Sequence, residues 1–332
     1  MIGSNITDPD RSPKVSVKHP IRFAAFLITV CLLWVLGISS AHAKSWEQAI
    51  LDVENMSEEF WQKSRELGFN EALGTAYNEV DVNMHLCAIL GRMVGHKEGI
   101  RHLEPPQPAD GASGREFAIA SVSLSNWAIA AKYHSKITAA EKKRIWNLDC
   151  VGNYDIPADL YVNVERGFSV RYDDERKSIY IQGDIVEGFS ETVKEAINAY
   201  PDAKVVGLGS GGGAVYEAMR AGRYIRAAGL ETELLNDCYS ACPLALFGGT
   251  VRFMWYPHSA VGFHQVSVRG IALPLDDPTY RDIANYVALM GGDVSLVLGF
   301  MFSANPREMY LADELERCAS RVVTNHQRGC IN

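Results

Sequence analysis

Over residues 45–73 apolar side chains recur about every 3.6 positions. Trp46, Ala49, Ile50, Val53, Phe60 and Trp61 would share one face, and Ser45 with Gln48 has the form of a capping box, so the pattern predicts a helix. Pro105, Pro106, Pro108, Gly111 and Gly114 then break the periodicity and predict a loop. A second long helix is predicted over 116–134, and Thr138 with Glu141 caps a shorter one ending near Asp149. Residues 44–150 therefore read as a small all-α domain. His85, His96, His102 and His134 are scattered through it without a ligand spacing. From about Leu160 short apolar runs alternate with amphipathic stretches: strands at 178–181, 204–208 and 232–235, helices at 190–199, 214–228 and 241–247, and a strand-like segment at 251–254. That alternation predicts an α/β domain over 160–325 with parallel crossovers and a site at the carboxyl ends of its strands.

The first 43 residues follow neither pattern. Arg11, Lys14, Lys18 and Arg22 precede an apolar run over 23–37, and Ala41-His42-Ala43 has the small-x-small form of a cleavage site. This reads as a signal peptide that exports the body of the protein, with a bacterial periplasm or secretion as destination; left uncleaved, it would serve as a membrane anchor. Removing its four basic and two acidic residues moves the formal charge from −8 to −10. A mildly acidic body without a Lys/Arg cluster argues against nucleic acid or an anionic membrane as partner. With 47% apolar and 22% charged residues, the chain can bury a substantial core.

Six cysteines remain beyond the leader: Cys87, Cys150, Cys238, Cys242, Cys318 and Cys330. An even number in an exported chain predicts disulfides, with Cys318/Cys330 and Cys87/Cys150 each falling within one region. Zinc is the rival reading, but no CxxC pair or His-x3-His spacing supports it. Cys238 and Cys242 admit a local disulfide or pairing with other cysteines, either of which would rigidify the serine's turn, or packing as small buried thiols.

The chemistry concentrates between Gly207 and Gln265. Gly207-x-Gly209-x-x-Gly212 has the form of a dinucleotide fingerprint, but no acidic residue follows at a convincing offset, and an exported protein meets little nicotinamide. A P-loop is excluded because no Lys-Ser/Thr follows the glycines. Two readings stay open: a plain strand-to-helix turn, or an oxyanion hole whose glycines let backbone N–H groups approach a developing negative charge. Ser240 and His264, 24 residues apart, supply a nucleophile and a general base if the fold joins them. No cofactor is called for.

Ser210-Gly211-Gly212-Gly213, Tyr239-Ser240-Ala241, Arg252-Phe253-Met254, Pro257-His258-Ser259 and Gly262-Phe263-His264-Gln265 together resemble the core of the ClpP-type serine proteases of the ClpP/crotonase superfamily. Cys-x-Ser-Ala-Cys followed by Gly-Phe-His is similar to exported ClpP-like proteins of bacteria. The resemblance covers about 165–325. It implies a spiral of parallel strands and helices, with Ser240 as nucleophile, His264 as base, and the N–H groups of Gly213 and Ala241 as the oxyanion hole. Gly211 stands where the family's turn usually has proline, and Pro243 where threonine is common. No carboxylate occupies the place of the third triad member; Asn305 matches that stretch, Asp293, Asp277 and Asp282 are further candidates, and a dyad is the remaining option. A Ser-Lys pair is disfavoured because no lysine follows Lys204.

The implied function is an exported serine hydrolase, peptidase-like, acting on peptides or flexible polypeptides without an ATP-driven unfoldase, and self-associating as superfamily members commonly do. One rival is a catalytically silent ClpP-like binding or scaffold protein of the periplasm. The other is crotonase-type acyl-CoA chemistry, against which export and the Ser240/His264 pair both argue.

Overall fold

The computed structural model describes residues 46–69, 82–105, 107–254, 260–326 and 329–330. The leader read at 1–43, Ser45 of the first capping box, Pro106 and the Pro257-His258-Ser259 block lie outside them. From Trp46 onward the chain forms one compact unit, within which one large hydrophobic cluster serves the α/β part and another, with a small satellite around Ala118 and Val122, serves the helical part.

Among the described residues, four α-helices build the first part: α1 (Trp46–Glu66), α2 (Val82–Val94), α3 (Gly114–Ser135) and α4 (Ala139–Ile145). Helix α1 ends earlier than its apolar pattern suggests. Gly68 adopts φ +82° while Phe69 N–H reaches back to Ser64 O, and this left-handed cap closes the helix. Capping boxes at Ser113/Glu116 and Thr138/Glu141 start α3 and α4. Helix α2 was not predicted because it shows no single apolar stripe. Cys87, Ala88, Ile89 and Leu90 are all buried, and Gly91 leaves room for Ile100. After α4 the backbone widens into a π-turn, Trp146–Cys150, which carries Asp149.

The second part is a mixed sheet, mostly parallel. Its main path runs β1 (Phe168–Asp173), β2 (Ser178–Gly183), β3 (Val205–Ser210), β4 (Glu231–Tyr239), β5 (Arg252–Met254), and then the last strand of the chain, Asn325–His326. Strand β6 (Val261–Phe263) pairs with the end of β4. Among the described residues, only β1 against β2, and β6 against the short Tyr310–Leu311 strand, are antiparallel in this sheet. Helices α5 (Phe189–Ala199), α6 (Val215–Ala227), α7 (Cys242–Leu246), α8 (Pro278–Leu289) and α9 (Val294–Phe302) contribute to one core with Ile179, Ile181, Val206, Leu208 and Leu234.

Strand β2 is buried along its whole length because both of its faces are covered. Its alternate residues, Tyr180 and Gln182, turn away from that core. There Arg171 lies over Tyr180 and donates to Tyr133 of α3 at 3.1 Å, tying the helical part to the sheet. The six cysteines beyond residue 43 pair, as Cys87–Cys150, Cys238–Cys242 and Cys318–Cys330. Three disulfides point to an oxidising compartment. No helix among the described residues is long and apolar enough to cross a membrane.

Candidate active site

The glycines divide by task. A Cβ on Gly207 would fall 2.6 Å from the Tyr180 ring, and one on Gly209 would fall 2.6 Å from Gln182 Oε1. These two are bare so that large neighbours on β2 can lie across β3, which explains the apparent nucleotide fingerprint by packing. Gly212 and Gly213 instead adopt φ +97° and +143°. Their peptide is held against Ile185, which donates its N–H to Gly212 O at 2.9 Å and accepts from Ala214 N–H at 2.8 Å.

Ser240 follows directly on β4 and precedes α7. Its φ of +61° lies in the left-handed region, which a serine adopts at a cost of about 1–2 kcal/mol. Such strain persists only where the surroundings enforce it. Here Ser240 N–H is held by Gly262 O at 2.9 Å, the Cys238–Cys242 disulfide brackets the turn, and Gly212 packs against the Ser240 Cβ. A strand-to-helix turn of this kind lifts a serine Oγ out of the backbone and toward a cleft.

His264 reaches the same cleft because β6 runs parallel to the end of β4, with Tyr239 opposite Gly262. Each chain leaves the sheet at the same level, so the 24-residue excursion closes onto the nucleophile. The cleft, about 260 Å³, is lined by Gly213, Ser240, Ala241 and His264, with Leu244, Val266, Leu273 and Met301 as apolar walls. Neither the Gly213 nor the Ala241 N–H has a hydrogen-bond partner among the described residues.

The His264 ring is oriented by the backbone. Its Nδ1 lies 2.7 Å from the carbonyl of Gln265, whose own N–H donates to Ala304 O at 3.0 Å. A carbonyl only accepts, so Nδ1 carries the hydrogen and Nε2 of the neutral ring is left as an acceptor, the form a general base needs. Ser240 and His264 share the cleft without a hydrogen bond between them among the described residues.

The third-member role expected of Asn305 is not what the geometry shows. Asn305 is exposed, its Oδ1 accepts from Arg307 N–H at 2.9 Å, and Gln265 O already meets the ring nitrogen it would have to orient. The other candidates are likewise engaged: Asp277 and Asp293 cap α8 and α9, and Asp282 accepts from the Tyr216 hydroxyl.

One cluster beside the site escaped the sequence reading. Asp149 accepts from Asn236 Nδ2 at 2.6 Å and from Asp237 N–H at 3.4 Å; Asp237 in turn accepts from the Tyr239 hydroxyl and from Ala260 N–H. Enclosure, and then the charge of Asp237, push the Asp149 carboxyl well above its ordinary value. Enclosure also raises Asp237. Nothing in the linear pattern announces a contact across 87 positions.

Compared with protein-family models and with curated protein sequences, the chain matches none.

Proposed function

We propose that the protein is a serine hydrolase of the ClpP-like type, exported and acting on peptides or flexible polypeptide segments. The observation that carries this reading is Ser240 held at positive φ in a cleft with His264 and with two N–H groups, those of Gly213 and Ala241, that have no partner among the described residues. In the reaction Ser240 Oγ attacks the substrate carbonyl and its proton passes to His264 Nε2. The carbonyl oxygen becomes an oxyanion facing the Gly213 and Ala241 N–H groups, each such donor contributing about 3–4 kcal/mol in comparable sites. His264 then protonates the leaving amine, and water drawn through the same base cleaves the acyl-enzyme. The Gln265 carbonyl takes the orienting place of a triad acid; lacking a negative charge, it stabilises the imidazolium less than a carboxylate would.

That last feature, with the unformed Ser240–His264 bond, favours a second reading: a ClpP-like binding or scaffold protein without hydrolytic activity. A fluorophosphonate probe separates the two. Covalent labelling of the folded protein, lost in Ser240→Ala, is expected of the hydrolase; folded wild-type protein that stays unlabelled belongs to the silent reading.

A further inference from the structure

A second cleft, of about 280 Å³, opens where the helical part meets the β1–β2 edge. Arg144, Arg166, Gln182, Asp184 and Gly211 are among the residues that line it. Gln182 is 5% exposed, and its Nε2 has no hydrogen-bond partner among the described residues. Arg144 donates Nη2 to Glu165 O at 3.2 Å, yet its Nε is buried without a partner among the described residues. Buried donors are nearly always satisfied, and the two residues that carry these orphan donors line the same cleft.

The backbone has been cleared for Gln182. Gly209 lacks the Cβ that would strike the Gln182 amide, and a Cβ on Gly183, at φ +127°, would strike Gly167 O at 2.4 Å and Phe168 Cα at 2.8 Å first, with Arg144 Cδ at 3.1 Å beyond them. Both orphans are donors. Arg166 adds a second positive charge at the rim, whereas the Asp184 carboxylate accepts from Gly167 N–H at 3.2 Å. Two arginines against one aspartate favour a monoanion over a dianion. A guanidinium edge and a primary amide are planar donors that match the two oxygens of a carboxylate. The volume lies just below the usual range for drug-sized ligands, which fits a group about as large as an amino acid.

We propose that this cleft binds a free carboxylate, from a small acid or from the end of a peptide, with Arg144 and Gln182 as donors and Arg166 as the rim charge. The proposal stands independently of the chemistry at Ser240. It is tested by titrating the full-length chain, in a Ser240→Ala background that prevents turnover, with N-acetylalanine, acetyl-trialanine, the amides of both, and inorganic phosphate, following binding by calorimetry or ligand-observed NMR. Both free acids are expected to bind at least tenfold more tightly than their amides. Arg144→Gln and Gln182→Leu should each weaken the acids at least tenfold, and Arg166→Ala several-fold. A tripeptide acid that binds tenfold more tightly than N-acetylalanine identifies a peptide end as the source; equal affinities identify a small acid. Phosphate binding more tightly than the acids, amides binding as well as acids, or acid affinity unchanged in folded Arg144→Gln overturns the assignment. Should the two buried substitutions prevent folding, Arg166→Ala on its exposed side chain decides alone, and unchanged acid affinity there counts against the site.

Discussion

Substituting Gly212 by alanine loads the nucleophile turn from behind. At φ +97° the backbone sits where an L side chain is strained, and the new Cβ would lie 2.5 Å from Ser240 Cβ, 2.7 Å from Tyr239 O and 2.9 Å from Ala241 N. None of these is the end of a flexible side chain, so the turn itself must move. Left-handed strain contributes about 1–2 kcal/mol and overpacking about 1–3 kcal/mol. The lower entropy of the unfolded alanine chain offsets about 0.4–1 kcal/mol. The net loss should be about 2–4 kcal/mol. Gly211→Ala is the matched control, because that Cβ would meet only Leu148 Cδ1, at an ordinary 3.5 Å, and Gly211 has no positive φ; its stability should stay within about 1 kcal/mol of wild type. Urea unfolding of both variants measures the difference, and fluorophosphonate labelling shows whether Ser240 has been displaced. Equal stabilities for the two alanines, or wild-type labelling in Gly212→Ala, would refute the assignment of Gly212 as the support of the nucleophile.

Burial, and then Lys142, pull the His134 pKa down to about 3. The unfolded chain therefore takes up a proton that the fold excludes as pH drops below about 6.5. Stability should fall by about 2 kcal/mol between pH 6.5 and pH 5, a slope that His134→Gln flattens in pH-dependent urea titrations; an unchanged slope contradicts this. Asp149 has the opposite sign, since a raised folded pKa means stability lost as pH rises from about 4 toward that raised value. Asp149→Asn should gain on wild type across that interval, and a pH-independent difference argues against it. Loop-closure entropy assigns about 4 kcal/mol to Cys87–Cys150, with 63 residues of separation, and about 2 kcal/mol to Cys238–Cys242, with a separation of 4. Paired serine replacements should lose stability in that order, while only the second pair slows labelling at Ser240; the reverse order would count against the loop model.

Local pattern was enough for much of the architecture. The capping box before α4 and the apolar periodicity of α6 are encoded within a few residues, as is the turn where β3 runs into its glycines. Helix α2 was missed because its side chains answer to neighbours on several sides, which leaves no single-period signature; strand β1 was legible but not among the predicted strands, since Phe168, Val170 and Tyr172 pack on the core and alternate with Ser169, Arg171 and Asp173. The glycine turn was visible as a turn but not as two devices. That Gly207 and Gly209 make room for Tyr180 and Gln182 depends on the β2–β3 register.

The sequence by itself determined the parts of the candidate site, a serine between two cysteines, a histidine after a short apolar run and a cluster of glycines, because residue type and spacing are local properties. Tertiary structure decided how they meet. Parallel pairing of Tyr239 with Gly262 carries Ser240 and His264 out of the sheet side by side, and the positive φ of Ser240 exists only because Gly212, Gly262 and a disulfide close around it. The partner of His264 was open to several side chains in the sequence. The fold fills that place with the Gln265 carbonyl, a group that every residue carries and that residue identity therefore cannot reveal.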